Sequence, residues 1–230
     1  MIRNIILDCG GVLVRPLHGE WDIPAGLYDV LGERAASIPD ERWHEAHRRH
    51  HDLIREDVVL DIDGESRQRR LFLENVGRDL GWNLTETELD ALADDFTRNP
   101  KRYIWYDDVA PILTRLHPKY RVGILSDAMP SMGVFLREFE NGRGLFDEAV
   151  FSTQIGVCKP DPRMYREILR RLNADPSECV FVDDRACNLE AAESCGIRGI
   201  QMLRDGLAQD WRGTAVRGLS ELEALWEAEN

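Results

Sequence analysis

Three short apolar runs that each end in acidic residues constrain this chain more than any other feature. They are residues 5–7 before Asp8, residues 122–125 before Ser126 and Asp127, and residues 180–182 before Asp183 and Asp184. Because the apolar residues are consecutive rather than alternating, each run predicts a strand that is covered on both faces, as in a parallel sheet. Ligands bind at the carboxyl ends of such strands, so the acids are expected to converge if their strands are neighbours.

Further runs of the same kind, residues 149–151 and 197–202, predict additional strands, and helical patterns lie between the strands. These predict helices from about 107 to 117, from 161 to 172 and from 187 to 196, the first two with aspartates at their starts. Alternating strands and helices are joined by right-handed crossovers. The pattern therefore predicts an α/β fold with a doubly wound, mostly parallel, Rossmann-like sheet.

Residues 17–99 interrupt this alternation and predict an inserted helical domain. They contain four amphipathic stretches, near residues 22–35, 40–56, 64–80 and 86–98, that are separated by turn signals. The segment has no convincing strand pattern. We therefore expect an α/β core at residues 1–16 and 100–230, and an α-helical domain at residues 17–99.

The acids at the predicted strand ends favour a metal ion. Like charges gathered at one edge of a sheet need a cation, and oxygen ligands without histidine or cysteine suit a hard ion such as Mg²⁺. The alternative is that each acid only caps the helix that follows it, a common role for a single aspartate.

Four ordered motifs resemble those of the haloacid dehalogenase superfamily. They are Asp8-Cys9-Gly10-Gly11-Val12-Leu13, Ser126-Asp127, Lys159-Pro160-Asp161, and Asp183-Asp184 followed by Asn188. Their order and spacing match across nearly the whole chain, and the insertion falls where that superfamily carries a helical cap. The resemblance implies that this cap closes over the substrate.

The resemblance also implies a role for each motif. Asp8 would be the nucleophile that forms an aspartyl-phosphate, Ser126 would hold a phosphoryl oxygen, and Lys159 would pair with the nucleophile and the phosphate. Asp184, with Asp183 as the second candidate, would bind Mg²⁺ together with Asp8 and the backbone carbonyl of Gly10.

Four further residues are candidates for substrate binding, namely Gly11, Arg15, Asp127 and Asn188. Structural alternatives stay open for several candidates. Lys159 can be an exposed loop lysine, Ser126 a turn residue, Asn188 a hydrogen-bonding residue at a helix start, and Arg15 a surface residue.

Gly10 is a departure from the superfamily pattern. Phosphatases of the superfamily usually have a second aspartate there, which protonates the leaving group and then activates water, although some carry glycine. A positioned acid or base contributes typically ~10²–10⁴ in rate. Three outcomes are open: a substitute acid from the cap, a leaving group that needs little protonation, such as an anomeric or acyl phosphate, or binding without turnover. Dehalogenases of this size tend to carry tyrosine at this position and phosphonate hydrolases alanine.

Histidines of the insertion are candidates for the substitute acid, namely His18, His44, His47, His50 and His51. His47 and His51, four residues apart, share a helix face and can in principle bind a metal. No third ligand at a suitable spacing is evident, which favours an exposed, charged helix instead. Cys9 is expected in the core because side chains alternate along a strand.

Together these features predict a Mg²⁺-dependent phosphatase that acts on a small phosphorylated metabolite through Asp8. The alternatives are a protein that binds a phosphorylated ligand or partner without turnover, and a dehalogenase, which would need no metal. A net charge of −13 argues against nucleic acid as a partner. The absence of a run of about 20 apolar residues argues against a membrane span, and five cysteines without paired spacing suit reduced thiols. We expect a cytoplasmic monomer or homodimer.

Overall fold

A computed structural model of the chain describes residues 1–54 and 59–229, with residues 227–229 given by their backbone alone. The chain divides into two units, each described by itself. The core unit consists of Met1–Arg15 and Trp105–Asn230, and the helical unit of Pro16–Ile104. The sequence pattern assigned residue 16 and residues 100–104 to the core, but they belong to the helical unit. Residues 100–102 form a short 3₁₀ helix that continues from the last long helix of that unit.

The strands of the described residues are, in chain order, β1 (Asn4–Leu7), β2 (Val14–Pro16), β3 (Tyr103–Trp105), β4 (Arg121–Ser126), β5 (Glu148–Phe151), β6 (Cys179–Asp183), β7 (Arg198–Met202) and β8 (Ala215–Val216). The helices are α1 (Leu27–Leu31), α2 (Glu33–Ala36), α3 (Asp40–His50), α4 (Ile62–Leu80), α5 (Glu86–Arg98), α6 (Val109–Leu116), α7 (Pro130–Glu140), α8 (Ser152–Ile155), α9 (Pro162–Leu172), α10 (Ala186–Ser194) and α11 (Leu219–Glu229). Short 3₁₀ helices cover His51–Ile54, Pro100–Arg102 and Pro176–Glu178.

Six strands of the core unit form one parallel sheet in the order β5-β4-β1-β6-β7-β8. The predicted α/β fold with a doubly wound parallel sheet is confirmed. The three strands that end in acids, β4, β1 and β6, are adjacent at its centre. Leu7 pairs with Ile124 on one side and with Val182 on the other. The residues that follow these strands therefore lie at one edge of the sheet, as predicted.

The central strands are buried, apart from Arg121 at the start of β4, because helices cover the sheet. Ile6, Leu125 and Phe181 pack with Met164 and Ile168 of α9. The predicted helix at 161–172 is confirmed, with Asp161 as its N-cap accepting a hydrogen bond from the backbone of Arg163.

The aspartate expected to cap the helix after residue 107 has a different role. Asp108 precedes α6 without a side-chain capping bond. Its carboxylate accepts hydrogen bonds from Arg204 and from the backbone N–H of Leu219, at 2.7 and 2.8 Å. Asp108 therefore joins α6 to the start of α11, a long-range contact that a local capping pattern cannot reveal.

In the helical unit, α4 packs between α3 and α5. Helix α4 begins where Asp61 accepts a hydrogen bond from Gly64 and ends at Gly81, whose φ of 73° is accessible chiefly to glycine. Helix α5 begins with a capping box formed by Thr85 and Glu88. Apolar residues such as Phe72 face the interior of the unit.

Two of the predicted helical stretches differ from the structure. The stretch at 22–35 is broken into α1 and α2 by Gly32, which has a positive φ of 54°. The stretch at 40–56 is helical as α3 to His50 and becomes a 3₁₀ helix at 51–54, while residues 55 and 56 lie outside the described residues. Among the described residues, none of the helices combines the length and the apolar character that a bilayer span requires.

Candidate active site

Lys159 ties together two of the acids at the carboxyl edge of the sheet. Asp8 follows β1 and is 8% exposed, and the Lys159 side chain is 1% exposed. Lys159 Nζ donates a hydrogen bond to Asp183 Oδ2 at 2.7 Å and forms an ion pair with Asp8 Oδ1 at 2.9 Å. The backbone N–H of Lys159 donates to the Asp127 carboxylate at 2.8 Å. Lys159 is thus a buried, positioned cation and not an exposed loop lysine.

Asp183 is completely buried and both of its oxygens accept hydrogen bonds. Besides Lys159, its partners are the backbone N–H of Arg185 at 2.9 Å and the side-chain amide of Asn188 at 3.0 and 3.1 Å. Tyr165 in turn donates to the Asn188 carbonyl at 2.8 Å. This network fixes the Asp183 carboxylate, which in turn orients Lys159 toward Asp8.

Asp184 is the acid with the fewest contacts in this group. In the described parts of the chain, no side chain donates a hydrogen bond to its carboxylate, which accepts one from its own backbone N–H, and its backbone carbonyl accepts from Gln201 at 3.0 Å. Its Oδ2 lies beside Gly11, where an added Cβ would come within 2.7 Å. Gly11 also has a φ of 68°, so a side chain there would be both strained and in collision with Asp184.

Burial and mutual repulsion shift the pKa values of the acids upward. Desolvation raises the pKa of Asp8 to about 7, with Lys159 opposing the shift and Asp183 and Asp184 adding to it. Desolvation and the neighbouring Asp183 raise the pKa of Asp184 to about 6. Burial alone would lower the pKa of Lys159, but Asp183 and Asp8 outweigh it and hold that pKa above its usual value. The site thus has more negative charge than its lysine neutralises.

The donor set fits a hard divalent cation. One carboxylate oxygen from each of Asp8, Asp183 and Asp184 lies within 4.8 Å of the others. Lys159 is the only cation in ion-pair contact with these acids among residues 1–54 and 59–229. Three carboxylates against one lysine leave a charge that a divalent ion can balance, and an all-oxygen donor set suits Mg²⁺. Because the oxygens of Asp183 already accept hydrogen bonds, Asp8 and Asp184 are the better placed ligands.

Cys9 follows Asp8 in the chain, and Ser126 lies beside Cys9. Ser126 ends β4 and is 3% exposed. It is hydrogen-bonded to the Cys9 side chain. Burial, together with the negative charge of Asp8, raises the pKa of the Cys9 thiol to about 12. Cys9 is therefore an inert core residue, as predicted.

The structure brings Asp8, Lys159, Asp183 and Asp184 together. Most of the residues predicted to bind substrate make hydrogen bonds to other residues of the protein. Gly11 N–H donates to the Val14 carbonyl at 2.9 Å. Asp127 accepts a hydrogen bond from the backbone of Lys159, and Asn188 donates one to Asp183. Arg15 is exposed. Their substrate contacts stay predictions. Tyr165 was missed, because an aromatic residue on the apolar face of α9 gives no sequence signal beyond packing.

The histidines considered as substitute acids make contacts inside the helical unit. His18 contacts the Ala25 carbonyl at 2.8 Å, and His44 pairs with Glu20 at 3.0 Å. His47 pairs with Asp22 at 2.6 Å, and His50 pairs with Asp79 at 2.9 Å. A role for any of them in protonating a leaving group stays a prediction.

Comparisons with known proteins agree with this geometry. A family model described as haloacid dehalogenase-like hydrolase matches residues 2–196. A mouse protein, acyl-CoA dehydrogenase family member 10, is 37% identical over 119 residues, which are 50% of this chain and 10% of that protein. Phosphatase MT3486 of Mycobacterium tuberculosis is 35% identical over 124 residues, 52% of this chain and 55% of that protein.

Among solved structures, the fold resembles that of a 2-haloacid dehalogenase from Pseudomonas syringae. The TM-score is 0.67 at 22% sequence identity, and the match covers 100% of both chains. This likeness concerns the fold. The family model, in contrast, covers Asp8 with the glycines that follow it, Lys159 and the Asp183-Asp184 pair in one continuous match. With the acids, the lysine and the parallel sheet arranged as described, the chain belongs to the haloacid dehalogenase-like hydrolases.

Proposed function

We propose that this hydrolase is a Mg²⁺-dependent phosphatase that acts on a small phosphorylated metabolite through an aspartyl-phosphate at Asp8. The observation that carries the proposal is the excess of buried carboxylate over buried cation. Lys159 supplies one positive charge against the three carboxylates of Asp8, Asp183 and Asp184, so two negative charges stay uncompensated when all three acids are ionised. A bound divalent ion would balance that charge.

The charge balance also separates this proposal from dehalogenation. Displacement of a halide at carbon by Asp8 needs a nucleophile and a place for the halide, but no metal. Asp184 would then be a half-buried carboxylate with a raised pKa and no cation to offset its desolvation. The similarity to a mycobacterial protein named as a phosphatase points in the same direction, and the likeness to dehalogenase structures concerns the fold alone.

The residues of the site suffice for a two-step transfer. An Asp8 carboxylate oxygen attacks phosphorus in line with the leaving oxygen, the phosphorus–oxygen bond to the leaving group breaks, and an acyl phosphate forms on Asp8. Lys159 stays beside Asp8 and offsets charge on the phosphoryl oxygens, with Ser126 as a second donor. Water then attacks the acyl phosphate, which releases inorganic phosphate and restores the carboxylate. Mg²⁺ held by Asp8 and Asp184 would supply further charge neutralisation on the phosphoryl group.

Gly10 limits which substrates react fast. A glycine has no side chain to protonate the departing oxygen, so the leaving group must depart with little help. We therefore expect aryl, acyl or anomeric phosphates to be hydrolysed faster than simple alkyl phosphates. The missing acid is worth roughly 3–5 kcal/mol of activation free energy, which corresponds to ~10²–10⁴ in rate.

The test is a phosphate-release screen over aryl, acyl, sugar and nucleotide phosphates, with Mg²⁺ and with a chelator. The expected result is release that requires Mg²⁺ and is abolished in Asp8→Asn. Asp175→Asn, which alters an exposed aspartate at the start of a 3₁₀ helix, is the matched control and should retain activity. Saturable Mg²⁺-dependent binding of these compounds without turnover would favour a binding protein. Metal-independent halide release from 2-haloacids would favour a dehalogenase.

A further inference from the structure

We propose that Asp22, His47 and His51 of the helical unit form a binding site for a borderline transition-metal ion such as Zn²⁺. His47 lies on α3 and His51 is the first residue of the 3₁₀ helix that follows, so the two rings are one helical turn apart on the same face. Asp22 comes from the loop before α1. One ligand atom from each of the three residues lies within 4.8 Å of the others.

The contacts of Asp22 favour the ionised carboxylate, which is the form that binds a metal. Its side chain is 13% exposed, and Arg69 donates a hydrogen bond to Oδ1 at 2.6 Å. The other oxygen, Oδ2, faces His47 Nε2 at 2.6 Å. Burial would raise the pKa of Asp22, but Arg69 and His47 outweigh it and hold that pKa well below its usual value. One carboxylate oxygen is therefore anchored by an arginine while the second is directed at the histidines, an arrangement typical of carboxylate metal ligands.

The two imidazole rings are held close together. Their centroids are 5.0 Å apart. The His47 ring also packs edge-on against Phe72 at 5.7 Å, and its side chain is 23% exposed. The pair is thus supported by the core of the unit on one side and accessible to an ion on the other.

The donor set selects the class of metal. Two imidazole nitrogens and one carboxylate oxygen suit Zn²⁺ and similar ions, whereas Mg²⁺ prefers oxygen ligands alone. Two ligands of a tetrahedral zinc ion lie about 3.4 Å apart, given bonds of about 2.1 Å. Side-chain rotations that move the three atoms by about 1 Å or less therefore suffice to place them on one ion. The fourth position would be left for water.

Neighbouring histidines on α3 supply matched controls. His44 pairs with Glu20 at 3.0 Å and His50 pairs with Asp79 at 2.9 Å. In the described parts of the chain, neither pair has a third histidine, cysteine or carboxylate close enough to complete a metal-binding group. The two pairs share helix and composition with the proposed site but lack its third ligand.

The experiment is a Zn²⁺ titration of the metal-free full chain against a chromophoric chelator, with Mg²⁺ in large excess to occupy the acids near Asp8. We expect one zinc equivalent in the wild type, weakened at least ~10-fold in His47→Ala and in His51→Ala. His44→Ala, His50→Ala and Asp8→Asn should retain it, so the outcome is independent of phosphatase activity. Zinc should also raise the melting temperature of the wild type more than that of either weakened variant.

Three results would overturn the proposal. The first is a wild type that takes up no zinc in competition with the chelator. The second is equal weakening in His44→Ala and His47→Ala, and the third is full retention in every histidine variant, which would place the ion on exposed thiols such as Cys158 or Cys187. If His47→Ala does not fold, as judged by circular dichroism, His51→Ala decides the question, since His51 lies at the end of the helical segment.

Discussion

Replacing Lys159 by methionine removes the one cation that is in ion-pair contact with the buried acids, as far as the described residues go. Methionine keeps most of the apolar stem, so little cavity is created. What is lost is the charge between Asp8 and Asp183, at 2.9 and 2.7 Å. Removal of one partner from a buried ion pair costs about 3–5 kcal/mol, because the remaining charge stays desolvated. We expect Lys159→Met to lose about that much free energy of unfolding at pH 8 in the absence of metal, together with its activity.

The loss of unfolding free energy in Lys159→Met should depend on pH, because the acids beside residue 159 take up protons as the pH falls. The pKa of Asp8 is already raised to about 7 with Lys159 present, and removal of the lysine raises it further. At pH 5.5 the native variant then holds protons on its acids, which neutralise the uncompensated charge. The difference between wild type and Lys159→Met should therefore shrink as the pH falls from 8 to 5.5.

Urea denaturation followed by circular dichroism at the two pH values measures this difference. Lys119→Met, at an exposed lysine of the core unit, is the control and should change the free energy of unfolding by less than about 0.5 kcal/mol. The double variant Lys159→Met/Asp183→Asn should recover part of the loss, because it removes one uncompensated charge. A loss below about 1 kcal/mol at pH 8, or an equal loss at both pH values, would mean that Lys159 does not offset the charge of the buried acids.

Three further predictions concern the acids and Gly10. Asp184→Asn should lower Mg²⁺ affinity at least ~10-fold in calorimetry while Asp175→Asn does not, because no side chain of the described residues donates a hydrogen bond to the Asp184 carboxylate; equal affinities would exclude it as a ligand. Gly10→Asp should raise kcat/KM for alkyl phosphates relative to aryl phosphates by up to ~10²-fold. Gly10 is not among the residues with positive φ, so aspartate can adopt its backbone; an unchanged ratio would count against the missing acid. Metal-free wild type should lose stability as the pH rises from 4 to 7, because native Asp8 keeps a proton that the unfolded chain releases. Mg²⁺ should accordingly raise the melting temperature more at pH 8 than at pH 5, and equal shifts would contradict this.

The sequence was informative about the sheet because its signals there are local. Consecutive apolar residues before Asp8, Asp127 and Asp183 identify buried parallel strands, and strand ends place the acids at one edge. The acids converge because β1 lies between β4 and β6. The sequence does not reveal this strand order, so convergence could be predicted only for the case in which these strands are neighbours. Helix α7 was missed because Pro130, Ser131 and Gly133 mask its start, and β8 because two residues carry no periodicity.

Long-range contacts explain what the sequence could not reveal. Nothing in the order of Asp183 and Asp184 shows that Asn188 and the backbone of Arg185 donate hydrogen bonds to Asp183 rather than to Asp184. In the same way, the His47 and His51 pair appeared to lack a third ligand, since Asp22 lies 25 residues before His47 in the chain. Such partners are brought together by packing, which pattern and spacing do not encode.

Trapping the covalent intermediate is the direct test of Asp8 as the nucleophile. Wild type mixed with Mg²⁺ and an aryl phosphate is quenched in acid during turnover, digested and analysed by mass spectrometry. We expect a phosphoryl group on the peptide that contains Asp8, absent in Asp8→Asn and absent when a chelator replaces Mg²⁺. Phosphate release without phosphoryl on Asp8, or equal labelling in the chelator, would contradict it.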